Sequence, residues 1–190
     1  DALQYISYYH PVDFIQAVKQ AYDREESKAA KDAMAQILVN SRMCAMGHRP
    51  ICQDTGIVTV FVRVGMNVQW QGDMSLTDMI NEGVRRAYTH PDNVLRASIL
   101  SDPDGERKNT GDNTPAVIHY DIVPRDSVSI DVAAKGGGSE AKSKFAMLNP
   151  SDSVVDWVLK MVPTMGAGWC PPGMLGIGIG GTAEKAMLMA

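Results

Sequence analysis

Ile51-Cys52-Gln53-Asp54-Thr55-Gly56 runs straight into Ile57-Val58-Thr59-Val60-Phe61-Val62-Arg63-Val64. A β-branched, apolar run of this length behind a glycine predicts a buried strand over 57–64. The residues before it read as a loop that ends where the strand begins. Within that loop a thiol, an amide, a carboxylate, a hydroxyl and a glycine occupy consecutive positions. Such a loop at the mouth of a strand can build a site. A turn with a buried cysteine has the same look.

Outward from this strand, Gly65-Met66-Asn67 is a turn signal, and 68–70 is expected to return as a short partner. Strands are predicted over 117–123 and 128–134. Pro124-Arg125-Asp126-Ser127 joins them, so they should pair as a hairpin. A glycine-rich apolar strand is expected over 174–181. Helices are predicted over 11–27, over 28–46 with Gly47 just past the end, and behind the capping box Ser75-Leu76-Thr77-Asp78. Another spans 151–162, with Val154, Val155, Val158, Leu159 and Val162 as its apolar face and Pro163 as its stop. The alternation is irregular and the expected hairpin argues against a purely parallel sheet. The expected fold class is therefore α+β (mixed α/β), with helices packed on one or two small mixed β-sheets.

The 190 residues suffice for one domain with a real core, and 45% hydrophobic with 21% charged is ordinary globular composition. A net charge of −4 calls for neither nucleic acid nor an anionic membrane. Three cysteines, an odd number, argue against a disulfide framework and fit a reducing cytoplasm. Cys44 extends the apolar face of the second helix and reads as a core thiol.

Cys170 lies in a second loop of the same build, Gly168-Trp169-Cys170-Pro171-Pro172-Gly173, ahead of the expected 174–181 strand. Two cysteines at strand edges point to two ligands of one metal centre. Four blocks then occur in a fixed order. They are Cys52-Gln53-Asp54-Thr55-Gly56, Asn109-Thr110-Gly111-Asp112-Asn113-Thr114-Pro115-Ala116, Lys135-Gly136-Gly137-Gly138-Ser139-Glu140, and Cys170-Pro171-Pro172 with Ile179-Gly180-Gly181-Thr182. In this order the chain resembles the N-terminal (alpha) region of the iron–sulfur, class I fumarate hydratases of the fumarase/tartrate dehydratase family.

The resemblance implies a hydro-lyase that hydrates fumarate reversibly to (S)-malate on a [4Fe–4S] cluster, whose open iron serves as a Lewis acid. It makes Cys52 and Cys170 cluster ligands. Gln53 and Arg96 become substrate-binding residues, and Gly138 offers its N–H to substrate. The family carries an asparagine two residues before the arginine, whereas Asn93 and Arg96 are three apart here. A guanidinium suits the task because its planar fork matches a carboxylate. Asp54, beside Cys52, is the candidate for acid–base work; the alternative is a loop aspartate capping nearby N–H groups. Three consecutive glycines also fit backbone N–H groups presented to an anion. A phosphate loop is disfavoured because Lys135 precedes the glycines.

The family's third ligand lies further along than the Cys170 block. The expectation is therefore that residues 1–190 form part of an N-terminal catalytic domain, without the third ligand or the C-terminal domain, and inactive alone. A small dicarboxylate, a second copy in a homodimer and that C-terminal domain are the implied partners, with no nucleic acid or membrane. Tartrate or methylfumarate is an alternative substrate within the same family. A non-catalytic metal-binding module is the alternative of another class, disfavoured because the sequence has no Cys-x-x-Cys and no histidine pair at zinc spacing.

Overall fold

The structure is a computed structural model that describes residues 1–170 and 173–190. It has two compact units, Asp1–Gly136 and Gly137–Ala190. Its helices and small mixed sheets make an α+β fold, as the sequence predicts. No helix among the described residues is long and apolar enough to cross a membrane.

The first unit opens with a short helix, α1 (Ala2–Tyr8), that periodicity had not revealed; it delivers Leu3 to the core. The helices α2 (Val12–Arg24) and α3 (Lys28–Gly47) follow and pack on each other, burying Val18, Ser41 and Cys44. Pro11 caps α2, and Ser27 caps α3 by accepting the Ala30 N–H. The left-handed residue that ends α3 is His48 rather than Gly47.

Strand β1 (Ile57–Gly65) then crosses the middle of the unit. Its alternation puts Val58, Val60 and Val62 on one face, none more than 2% exposed. Helix α4 (Leu76–Thr89) covers that face with Val84, Ala87 and Tyr88. The expected capping box starts it: Ser75 Oγ accepts the Asp78 N–H at 3.1 Å. An apolar cavity of about 480 Å³ remains under α4, lined by Val60, Ile80, Gly83, Val84, Val128 and Val132 among others. On the opposite face Phe61 stacks on His119 and Arg63 pairs with Asp131.

The sheet corrects the predicted hairpin. Strands β4 (Val117–Val123) and β5 (Val128–Lys135) do not pair with each other; β1 lies between them, parallel to β4 and antiparallel to β5. Val60, for example, faces Ile118 on one side and Val132 on the other. The physical reason is that β1 is the most apolar strand. In the centre it satisfies both its rows of backbone donors and acceptors and buries its valines. The four-residue link has only to span two strand spacings, roughly 10 Å. It does so across the end of β1, where the Gly65 N–H donates to Ser127 O (3.0 Å), Met66 N–H to Val123 O (2.9 Å) and Asn67 N–H to Arg125 O (3.1 Å). Those bonds occupy the turn that was expected to send 68–70 back as a strand, and no strand forms there. The polar stretch before β4 carries a minimal ribbon, β2 (Leu100–Ser101) with β3 (Lys108–Asn109).

The second unit begins with one turn of helix, α5 (Gly137–Glu140). Helix α6 (Val154–Met161) passes into a 3-10 segment, Val162–Trp169, with Pro163 in its first turn. The proline converts the helix rather than ending it. Of the apolar face expected over 151–162, Val155 and Leu159 are exposed while Val154, Val158 and Val162 are half-buried. Residues 174–181 form no strand: Met174, Leu175, Ile177 and Ile179 are exposed, and no neighbouring strand pairs with them. Alternation marks a segment that can pair, but a strand needs a partner. Helix α7 (Ala183–Met189), capped by Thr182, follows.

Candidate functional site

The Cys52 loop is pinned at both ends and open at its tip. At its start the Ile51 N–H donates to Ser7 O of α1 at 2.9 Å, and Asn40 Nδ2 of α3 donates to Ile51 O at 3.0 Å. The Cys44 thiol donates to Pro50 O at 3.5 Å. At its end Thr55 and Gly56 are buried. Gly56 has φ +80°, and a Cβ there would lie 2.6 Å from Lys135 O, so only glycine lets β1 and β5 close together. Between these roots Cys52 and Gln53 are exposed and Asp54 is half-buried.

The Asp54 carboxylate accepts the Gly56 N–H at 3.0 Å. This is the capping role weighed against acid–base work, and it orients the group. Arg96 is exposed in the loop after α4. Its carbonyl accepts the Thr55 hydroxyl, which sets the Arg96 loop against the root of the Cys52 loop. Asn93 spends its amide inside its own turn, donating to Tyr88 O and Leu95 O and accepting the Leu95 N–H.

The residue that motif reading passed over is Asn113. It is 0% exposed, has φ 60°, and ties three segments together. Its Oδ1 accepts the Ser98 N–H at 2.7 Å and its Nδ2 donates to Gly56 O at 3.1 Å. Tyr88, also buried, points its hydroxyl at Thr55 O at 3.5 Å. Burial raises the Tyr88 phenol above its ordinary value, which keeps it a neutral donor. The stretch between β3 and β4 is therefore held by side-chain hydrogen bonds. Asn109 Nδ2 donates to Ala97 O, and Asp112 accepts both from Thr114 and from Arg85 Nε at 3.0 Å.

Gly138 and Cys170 belong to the second unit. Gly138 sits in α5, where a Cβ would lie 2.8 Å from Gly168 O, so backbone contact with the 3-10 segment requires this glycine. Cys170 ends that segment, exposed and left-handed at φ 63°. Pro171 and Pro172 of its turn lie outside the described residues.

The thiols differ in kind. Cys44 is buried, its pKa raised by burial against a smaller opposing pull from Arg49, and its S–H is engaged with carbonyl oxygens. It is the core thiol the sequence predicts. Cys52 and Cys170 are exposed. No group of three His, Cys, Asp or Glu gathers as a metal site among the described residues. Each exposed thiol, Cys52 in the first unit and Cys170 in the second, is a soft sulfur donor of the kind an iron–sulfur centre takes.

A family profile described as "Fumarate hydratase (Fumerase)" matches residues 1–190. The chain belongs to the fumarate hydratase family. It is 34% identical over 188 residues to the putative L(+)-tartrate dehydratase subunit alpha of Methanocaldococcus jannaschii, covering 96% of this chain and 65% of that protein. It is 31% identical over 184 residues to the L(+)-tartrate dehydratase subunit alpha of Escherichia coli K12, covering 95% and 60% respectively. The chain thus spans a little under two thirds of the length of these fumarate hydratase family relatives.

Proposed function

We propose that this chain is the N-terminal catalytic part of a hydro-lyase that hydrates fumarate reversibly to (S)-malate. The observation that carries the reading is the Cys52-Gln53-Asp54 tip, with Cys52 and Gln53 exposed between two pinned roots and tethered through Thr55 to the Arg96 loop. Family membership and the two exposed thiols support it. Cys52 and Cys170 would hold a [4Fe–4S] cluster, with the third thiolate from the portion of the relatives' length that this chain does not span. When bound, such a cluster supplies Lewis acidity toward a substrate carboxylate and hydroxyl. Arg96 would grip a carboxylate through its planar fork, and Gln53 would orient the substrate by its amide. The Gly138 N–H would meet developing negative charge. Asp54, its carboxylate oriented by the Gly56 N–H, would accept and return a proton at its carboxylate oxygen.

The relatives' names favour L(+)-tartrate as a second substrate reading, and "subunit alpha" in those names supports a partner chain as the source of the missing ligand. Tartrate and malate, the two hydroxy acids that would lose water, differ by one hydroxyl, a difference that pocket contacts decide. The proposal includes a cytoplasmic setting and a homodimer of the complete unit. The test is anaerobic reconstitution of the complete protein, or of this chain with its partner subunit, followed by fumarate hydration read as loss of ultraviolet absorbance. L(+)-tartrate dehydration is assayed beside it. Turnover of fumarate well above tartrate supports the first reading and the reverse order supports the second. Iron-loaded protein inert on both overturns the hydro-lyase reading.

A further inference from the structure

We infer that Thr55, with Asn113 behind it, is a positioning residue: its buried hydroxyl holds the Arg96 loop against the root of the Cys52-Gln53-Asp54 tip, so that Arg96 and the tip can serve one small dicarboxylate. The inference rests on the proposed hydro-lyase reading for its substrate and on the structure for its geometry. Thr55 is 6% exposed, and its hydroxyl donates to the Arg96 carbonyl. One residue on, Gly56 O accepts from Asn113 Nδ2, whose Oδ1 holds the Ser98 N–H two residues beyond Arg96. Arg96 directly, and Ser98 through Asn113, are thus fastened to consecutive residues at the root of the Cys52 loop. Arg96 itself is exposed, so the backbone at Arg96 and Ser98, rather than packing of its side chain, fixes where the guanidinium starts. A bidentate grip tolerates little displacement, because both N–H groups must meet the carboxylate together. A shift of 1 Å in a substrate-positioning group costs on the order of 100-fold.

The experiment compares wild type, Thr55→Val and Thr55→Ser in the complete cluster-loaded protein. Valine keeps the shape and removes the donor; serine keeps the donor. Three quantities are read: KM and kcat for fumarate, iron and sulfide per chain, and amide hydrogen exchange over 95–98. Thr55→Val is expected to raise KM at least about tenfold, with a smaller fall in kcat. It is also expected to speed exchange over 95–98 and to leave iron and sulfide at wild-type levels. Thr55→Ser is expected to return KM and exchange to within about twofold of wild type. Unchanged exchange in Thr55→Val overturns the inference, as does an unchanged KM. Loss of iron with KM preserved in the remaining loaded fraction also overturns it, since the hydroxyl would then serve the cysteine side. If wild type turns over neither fumarate nor tartrate, the hydro-lyase reading fails by itself, and amide exchange still decides whether the tether holds the loop.

Discussion

Replacing Gly65 by alanine tests the sheet topology directly. A Cβ at this position would stand 2.4 Å from Arg125 O, 2.7 Å from Arg125 C and 2.8 Å from Ser127 O. All three are backbone atoms of the link that crosses the end of β1, so none can rotate away. Overpacking of this kind costs about 1–3 kcal/mol. The two displaced carbonyls also accept the Gly65 and Asn67 N–H groups, and weakening those bonds adds up to about 1 kcal/mol each. Alanine returns about 0.5–1 kcal/mol by restricting the unfolded chain. The expected net loss is about 2–3 kcal/mol, or about 4–12 °C in Tm for a chain of this size. Circular dichroism melts of wild type and Gly65→Ala measure it. Had β4 and β5 paired as a hairpin away from β1, the methyl would meet no such link. A Tm within about 1 °C of wild type would refute the crossing.

The contrary change is Gly83→Ala in α4: nothing lies within 4 Å of the added Cβ, so the same melts should show a gain of about 1 kcal/mol. Ellman titration of the native chain should find two thiols reacting promptly, Cys52 and Cys170, and a third, Cys44, only on unfolding; three fast thiols would contradict the burial of Cys44. Asp112 is held below its ordinary 3.8: burial, the largest single influence, pushes it up, but the Thr114 hydroxyl and N–H together with Arg85 outweigh it. A depressed carboxylate stabilises the fold above its unfolded pKa and loses that contribution as pH falls through the folded one. The Tm difference between wild type and Asp112→Asn should therefore be full at pH 5–7 and shrink below about 3.8, and a difference constant to pH 2 would exclude the linkage.

What the sequence made legible follows what is local. The helices 11–27 and 28–46 and the strand at 57 showed in periodicity and caps, and the order of the four motif blocks pointed to the family. The insertion of β1 between β4 and β5 did not show, because a short proline-bearing link fits a hairpin or a crossing equally, and only the demand of β1 for two partners separates them. Residues 174–181 misled for the related reason that alternation does not say whether a partner exists. The tether around the site was hidden by distance along the chain: Thr55 reaches 41 residues to Arg96, and Asn113 reaches 57 back to Gly56. Asn113 did offer one signal, since Asp-Asn after a glycine suits a left-handed turn, but nothing local names what its amide binds.

The central place of β1 has a consequence during synthesis. Its partners are residues 117–123 and 128–135, so one edge cannot close until Val123 has been delivered and the other stays open until the ribosome reaches Lys135. At bacterial-like elongation speeds the 70 residues from Gly65 to Lys135 take roughly 4–14 s. Throughout that interval at least one row of β1 backbone groups is open to any other extended chain on the polysome. Arg63 is the one charge interrupting the run, where a gatekeeper against such pairing would sit. Yield of folded protein should therefore depend on how fast residues 66–135 are translated, so that synonymous codons confined to that window become a determinant of solubility.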